Sequence, residues 1–167
     1  MYISLQGKVH YMKKEVRTVA RNRKARHEYH ILDSLEVGMV LKGSEIKSIR
    51  AGKVSLSGAY ADFDSGNELW IIDMHIAEYP QARDNHDPYR KRKLLAHASQ
   101  LRKLRRMVHE KGHTLIPLDV HLRGGRAKIE LGLCRGKKQY DKRRDIARKD
   151  AERKMRASMK RETRGYD

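Results

Sequence analysis

The sequence predicts a mainly β fold: a small antiparallel barrel of about six strands, two or three short helices, and a basic C-terminal tail that is disordered or helical. Three observations predict it. Residues 115–134 form two arms of strict apolar–polar alternation around Gly124-Gly125, the period of a strand with one buried face. Shorter runs of the same kind precede them, separated by turn residues. After Cys134 the alternation stops, and a proline-free run of charged helix formers takes over. Closing several short strands into a barrel removes the exposed edges that an open sheet would leave.

The 167 residues divide into an arm, a domain and a tail. Residues 1–21 hold scattered Lys and Arg with few apolar residues and no sustained period, which predicts a flexible basic arm. Met12, followed by Lys13 and Lys14, would also serve as a start. Residues 22–136 carry the barrel and residues 137–167 the tail.

Within the domain, Tyr29, Ile31 and Leu35 share one parity, and 37–41 continues that strand after a bend near Gly38. Gly43-Ser44-Glu45 opens a short helix that Ser44 is placed to cap; Ile46 and Ile49 share its inner face and Gly52 ends it. Residues 59–64 and 68–73 flank Ser65-Gly66-Asn67, a hairpin spacing. His86-Asp87-Pro88-Tyr89 and the basic run 90–93 read as a loop. From Ser99, the stripe Leu101, Leu104, Met107 and Val108 predicts a helix that Gly112 stops. The final hairpin places Ile116, Leu118, Val120 and Leu122 on one face, with Ala127, Ile129, Leu131 and Leu133 opposite; Cys134 falls on the outward parity. In the tail, Ala147, Ala151, Met155 and Met159 recur at four-residue steps beside Ile146. That stripe is too thin to dock firmly on a core, so the tail is expected to become helical when an anionic surface neutralises it.

The charge narrows the function. There are 39 Lys and Arg against 21 Asp and Glu, a formal +18. A net +8 lies in residues 135–167, +6 in 1–30, and only +4 in the 104 residues between. Such basic ends point to a polyanion, whose counterions are released on binding. A membrane surface fits less well, because Phe63 and Trp70 lie in neither basic end. One cysteine excludes an internal disulfide and an all-thiolate zinc site. No apolar run approaches a membrane span and no signal-peptide core is visible, so a cytoplasmic protein is expected.

Enzyme signals are sparse. His109-Glu110-Lys111-Gly112-His113 matches H-E-x-x-H, but that motif needs both imidazoles on one helical face. Gly112 is expected to end the helix first. Asp62, Asp64 and Asp73 read as turn chemistry, and Gly124-Gly125 as a hairpin turn rather than a phosphate loop. No catalytic residue, metal or cofactor is expected, and Cys134 is read as a bystander.

Four ordered blocks carry a resemblance. Asn22-Arg23-Lys24-Ala25-Arg26-His27-Glu28-Tyr29, then 43–53 (GSEIKSIRAGK), then Asn85-His86-Asp87-Pro88 with Arg92-Lys93-Leu94-Leu95, and finally Gly136-Lys137-Lys138-Gln139-Tyr140-Asp141-Lys142-Arg143, together resemble the small protein B family, bacterial proteins that bind transfer-messenger RNA. The resemblance implies an oligonucleotide-binding-type barrel. It also implies partnership with transfer-messenger RNA, elongation factor Tu and the stalled ribosome, in ribosome rescue without catalysis, by a chain monomeric when free. The barrel would hold the tRNA-like domain through Asn22, Arg23, Lys24, Arg26, His27, Glu36, Lys47, Arg50, Lys93 and Leu95. Arg135, Gly136, Lys137, Lys138, Tyr140, Asp141, Lys142 and Arg143 would meet the ribosome as the tail enters the empty messenger channel.

Arg23, Lys24 and Arg26 suit phosphates, and Asn22 and His27 suit sugars or base edges. A carboxylate such as Glu36 would accept from a base edge or a 2′-hydroxyl. Tyr140 stands where some members carry histidine; it can stack on a base but cannot shuttle protons near neutral pH. Without the resemblance, a structural ribosomal protein or a general RNA chaperone fits the charge equally well.

Overall fold

The computed structural model describes residues 2–3, 9–10 and 16–162. The elements run β1 (Tyr2–Ile3), β2 (Val9–His10), β3 (Val16–Arg21), α1 (Ala25–Glu28), β4 (Tyr29–Met39), α2 (Gly43–Arg50), β5 (Val54–Ser55), β6 (Tyr60–Phe63), β7 (Leu69–Ile72), β8 (His75–Ile76), β9 (Arg92–Leu95), α3 (Ala98–Lys111), β10 (Thr114–Arg123), β11 (Arg126–Gly136) and α4 (Gln139–Glu162).

The main sheet has the order β11-β4-β9-β7-β6-β10-β3, and β10 also pairs with β11 through the hairpin. Six strands therefore follow one another round a core in antiparallel pairs. The barrel is not sealed throughout: β6 meets β10 only at Ala61 and Leu115, and β4 meets β9 over two pairs. The core inside is aliphatic, with Val37, Leu69, Ile71, Leu94, Ile129, Leu131 and Leu133 fully buried. Ile49 of α2 and Leu104 of α3 cover it, and Leu101, Met107 and Val108 pack beside them. The helix stripe read from the sequence is thus the face that docks, and Gly112 ends α3 with φ 58°.

The last hairpin departs from strict alternation for a specific reason. Pro117 lacks an N–H, and the ladder to β11 shifts register between Pro117 and Asp119, a bulge at the place where a strand tolerates proline. One extra residue reverses the faces. Before the bulge Leu115 enters the main core; after it Val120 and Leu122 do. Ile116 and Leu118 instead join Cys134, Ala25, Tyr29 and Ile31 in a second apolar cluster beneath α1. Cys134, expected on an outward face, is fully buried there, and burial pushes its thiol up to about 11.

Other expectations change as well. Val16–Arg21, assigned to the flexible arm, is a strand paired to β10; the same expectation for 1, 4–8 and 11–15 lies outside the described residues, as do 163–167 of the tail. Ser44 does not cap α2: its hydroxyl meets His86 Nδ1 at 3.0 Å, and Glu45 Oε2 instead accepts from the Lys42 N–H at 2.6 Å. His86 and Arg92, read as loop residues, are buried. His86 Nε2 donates to the Ile76 carbonyl at 3.0 Å, and Arg92 donates to Glu45, Met74, Arg90 and Pro88. The "basic loop" is therefore stitched into the barrel wall. The tail is helical from Gln139 to Glu162, with Ile146, Met155 and Met159 exposed along it.

Candidate nucleic-acid interface

The basic cluster after β3 is built by Asn22. Its N–H donates to the Leu118 carbonyl at 2.8 Å. Its side-chain amide donates to the Pro117 carbonyl at 3.1 Å, and its Oδ1 accepts from the Ala25 N–H at 3.1 Å. Those bonds turn the chain into α1 and satisfy carbonyls that the bulge leaves unpaired. Asn22 shapes the cluster from inside, so its amide is committed to the protein rather than held out for sugars or bases. Arg23, Lys24 and Arg26 are exposed and His27 is half-buried. Arg23 and Arg26, with Arg21 from β3, line a groove together with Ile31, Leu32 and Leu118 and the polar residues Asp33, Ser34, Asp119 and Glu130. Lys24 borders the neighbouring hollows instead.

Beyond this groove the outward face of β10, β11 and β4 continues. Leu35 and Val37 face the core, so Ser34 and Glu36 project outward. Ser34 hydroxyl donates to Glu130. Glu36 Oε2 receives His121 Nε2 at 2.9 Å and Arg123 Nη2 at 2.8 Å, and His121 Nδ1 lies 2.7 Å from Asp119 Oδ1. The His121 side chain is 7% exposed and that of Glu36 26%. Burial works against charge on His121, but its hydrogen bonds to the Asp119 and Glu36 carboxylates outweigh it and raise the imidazole above its ordinary range. Sequence reasoning singled out Glu36 and missed Asp119, His121 and Arg123. The signal was present: three chargeable residues at every second position on the polar parity of β10.

Leu95 lies on the same face. It pairs with Gly38 of β4, whose missing side chain leaves Leu95 and Lys128 Nζ side by side above it. Leu95 is 50% exposed, so packing in the core is not its purpose. Lys93, on the same parity of β9, is ion-paired to Glu68. Arg50 donates to the Gly125 carbonyl at 3.1 Å, at the hairpin tip. Lys47 stands apart, its ammonium 5.4 Å from the Tyr79 ring centroid.

The tail residues divide into two groups. The Lys137 side chain is 8% exposed and reaches Asp145 Oδ2 at 2.5 Å and the Arg26 carbonyl at 2.9 Å; its N–H donates to the Glu28 carbonyl. The Lys137 ammonium holds the Asp145 carboxyl below its usual range. Asp141 lies 3.5 Å from His30 Nε2. Lys137 and Asp141 thus fasten the base of α4 to α1 and β4. Arg135, Gly136, Lys138 and Arg143 are exposed, Lys142 is half-buried, and Tyr140 is exposed, with Arg144 over its ring.

The remaining motifs do not assemble a centre. His113 lies beyond the end of α3, past Gly112, so the H-E-x-x-H spacing never becomes one helical face. Asp62 and Asp64 bond their own turn: Asp64 accepts from the Glu68 N–H and from Trp70 Nε1. Among the described residues no group of three or more His, Cys, Asp or Glu is set to hold a metal ion, and no helix is long and apolar enough to cross a membrane.

Comparison with known proteins agrees with this arrangement. The family described as SmpB protein matches residues 19–161. An SsrA-binding protein of Chloroflexus aggregans is 52% identical over 151 residues, covering 89% of this chain and 95% of its own. One from Desulforudis audaxviator is 54% identical over 140 residues, covering 83% and 91%. A solved structure, "tmRNA-SmpB: a journey to the center of the bacterial ribosome", superposes with a TM-score of 0.61 at 49% identity, over 72% of this chain and 85% of that one.

Proposed function

The chain belongs to the SmpB protein family, and from that premise we propose that it is the RNA-binding adaptor that joins transfer-messenger RNA to stalled ribosomes in trans-translation. The observation that supports this reading most directly is the continuous outward face from Leu95 through Glu36 to Arg26. It combines an exposed apolar residue on β9, an oriented carboxylate on β4 and a bank of arginines that runs from the end of β3 into α1.

Each part suits a folded RNA. Arg21, Arg23 and Arg26 neutralise phosphates of the tRNA-like domain and set its register. Glu36 accepts from a sugar hydroxyl or base edge, a contact that adds selectivity where charge alone cannot. Leu95 packs against a sugar or base beside Lys128. Lys47, Arg50 and Lys93 extend the positive field around this face, and Lys93 releases Glu68 where phosphate displaces it.

The tail reads the ribosome. Residues 139–162 hold ten Lys and Arg against five Asp and Glu, a surplus that suits ribosomal RNA lining a channel empty of messenger. Lys138, Tyr140, Lys142 and Arg143 are the first to meet it, Tyr140 by stacking. Lys137 and Asp141 aim the helix rather than contact the ribosome. The protein acts as a monomer without catalysis of its own, in the cytoplasm, with elongation factor Tu carrying the complex to the ribosome.

The test is a binding comparison at one salt concentration between a tRNA-like domain and random single strands of equal length. A marked preference for the folded RNA is expected; equal affinity would favour a general RNA chaperone.

A further inference from the structure

The group around Glu36 contains more order than a surface ion pair requires. His121 offers a nitrogen to Asp119 on one side and to Glu36 on the other, at 2.7 and 2.9 Å. Both can be hydrogen bonds only when both nitrogens carry protons, since a neutral imidazole donates from one nitrogen and presents a lone pair at the other. The ring is almost fully enclosed, so the bonds cannot exchange freely with water. Glu36 Oε2 is taken twice, by His121 and Arg123, while Oε1 accepts no hydrogen bond among the described residues.

We propose that His121 is a positioning residue for RNA recognition: as an imidazolium clasped between Asp119 and Glu36, it turns Oε2 inward and presents Oε1 as a single, fixed acceptor for an RNA hydrogen-bond donor. This rests on the reading of the face as the RNA site. It deepens that reading by making a buried histidine, which touches no RNA itself, responsible for the geometry of the recognising carboxylate. Arg123 alone does not suffice. Its side chain is about half exposed and flexible, and a guanidinium presented to an approaching RNA pairs with phosphate as readily as with Glu36.

The surroundings favour the charged ring without fixing it. From β10 come Asp119 and Arg123; from β11, Lys128 opposite His121 and Glu130 opposite Asp119; from β4, Glu36 and Ser34, the latter bonded to Glu130. From β3 come Thr18, opposite His121, and Arg21, opposite Asp119, with Arg17 next along. Two carboxylates bond the ring directly and no cation does, so the proton is held above the ordinary imidazole range. Raising the pH through that value removes one of the two bonds and frees Glu36 to rotate. RNA affinity therefore falls as pH rises through the raised value, which lies above the ordinary histidine value of about 6.5.

The experiment measures the affinity of the full chain for a tRNA-like domain at constant ionic strength from about pH 6 to about pH 9, with His121→Gln, Asp119→Asn and His109→Gln as variants. Nitrogen NMR of the His121 ring in the free protein is followed in parallel. Wild type should lose affinity with rising pH. His121→Gln should bind about tenfold more weakly at the acid end and show a flatter profile, since one charge-assisted bond is lost. Asp119→Asn should shift both the fall and the NMR titration to lower pH, while His109→Gln, at an exposed position of α3, should leave the profile in place. Should His121→Gln fail to fold, the Asp119→Asn shift decides. A wild type that prefers the tRNA-like fold, with both β10 variants superimposed on it across the range, overturns the role of His121 alone. A wild type with no such preference at any pH overturns the RNA-site reading and this proposal together.

Discussion

The guanidinium of Arg92 meets the carboxylate of Glu45 at 2.7 Å in the barrel interior, where neither side chain is exposed at all. Arg90 adds a second contact to the same carboxylate, also at 2.7 Å. Arg92 further donates to the carbonyls of Met74 and Pro88, tying β9 and the segment before it to α2. The charges lie on the buried side of β9 and hold the wall on which the exposed Leu95 is carried.

Breaking that pair is expected to unfold the barrel rather than spoil recognition. Arg92→Met leaves a buried carboxylate with one remaining guanidinium, which costs about 3–5 kcal/mol. Denaturant titration should show the loss, and RNA affinity measured below the new melting point should stay near wild type. Burial alone would raise the Glu45 carboxyl, but bonds from Arg90, the Lys42 N–H and Arg92 bring it below 4.5. Its contribution to stability is therefore complete above that pH and lost as pH falls through the lowered value. Acid melting of Glu45→Gln should lack this component.

Asn22 and Arg23 are adjacent yet should behave oppositely. Asn22→Ala removes the amide that holds Ala25 and Pro117 together, lowering stability by about 1–3 kcal/mol through unpaired backbone groups. Arg23→Ala should leave the melting temperature unchanged and weaken RNA binding evenly across sequences. It should also reduce the slope of log affinity against log salt by about 1. A salt slope that falls for Asn22→Ala and not for Arg23→Ala would reverse the assignment.

Glu36→Ala removes the acceptor and leaves His121 and Arg123 without their shared partner. Binding of the tRNA-like domain should weaken by about 1–3 kcal/mol. Glu36→Gln keeps the shape and one acceptor oxygen and should lie between. An unchanged dissociation constant for the alanine variant would make Glu36 a strand-end carboxylate and nothing more.

The latch at the base of α4 separates two activities. Truncation after Asp141 removes a helix whose described side chains beyond Asp145 are exposed, so barrel stability and tRNA-like binding should persist while rescue on ribosomes is lost. Asp145→Asn keeps the tail but releases Lys137. Amide exchange should quicken in the first turns of α4 and around the Arg26 and Glu28 carbonyls, with the core strands unchanged. Because Lys137 lowers the Asp145 carboxyl, the wild-type latch should hold above the ordinary carboxylate value of 3.8 and open as pH falls through the lowered one.

By itself the sequence determined the two long strands of the last hairpin, because period two around Gly124-Gly125 is a local property; β3 and β9, which it left in an arm and a loop, are strands only through long-range pairing. It determined α3 through its apolar stripe and the stop at Gly112 for the same reason. It also determined the class of partner, since surplus charge is additive and needs no coordinates. Strict alternation passed over the bulge at Pro117, and the reversal of faces that follows appears only when β11 is laid beside β10. The burial of Cys134 under α1 likewise depends on a packing contact from more than a hundred residues away.

Only the tertiary structure decided which polar residues work together. Glu36 and His121 are 85 positions apart and meet because β4 and β10 flank β11 on a curved sheet. Lys137 reads in sequence as one more cation for RNA, yet folding gives it Asp145 and the Arg26 carbonyl as partners. Periodicity records which face a side chain is on, whereas its partner is set by register between strands that the chain visits at widely separated points.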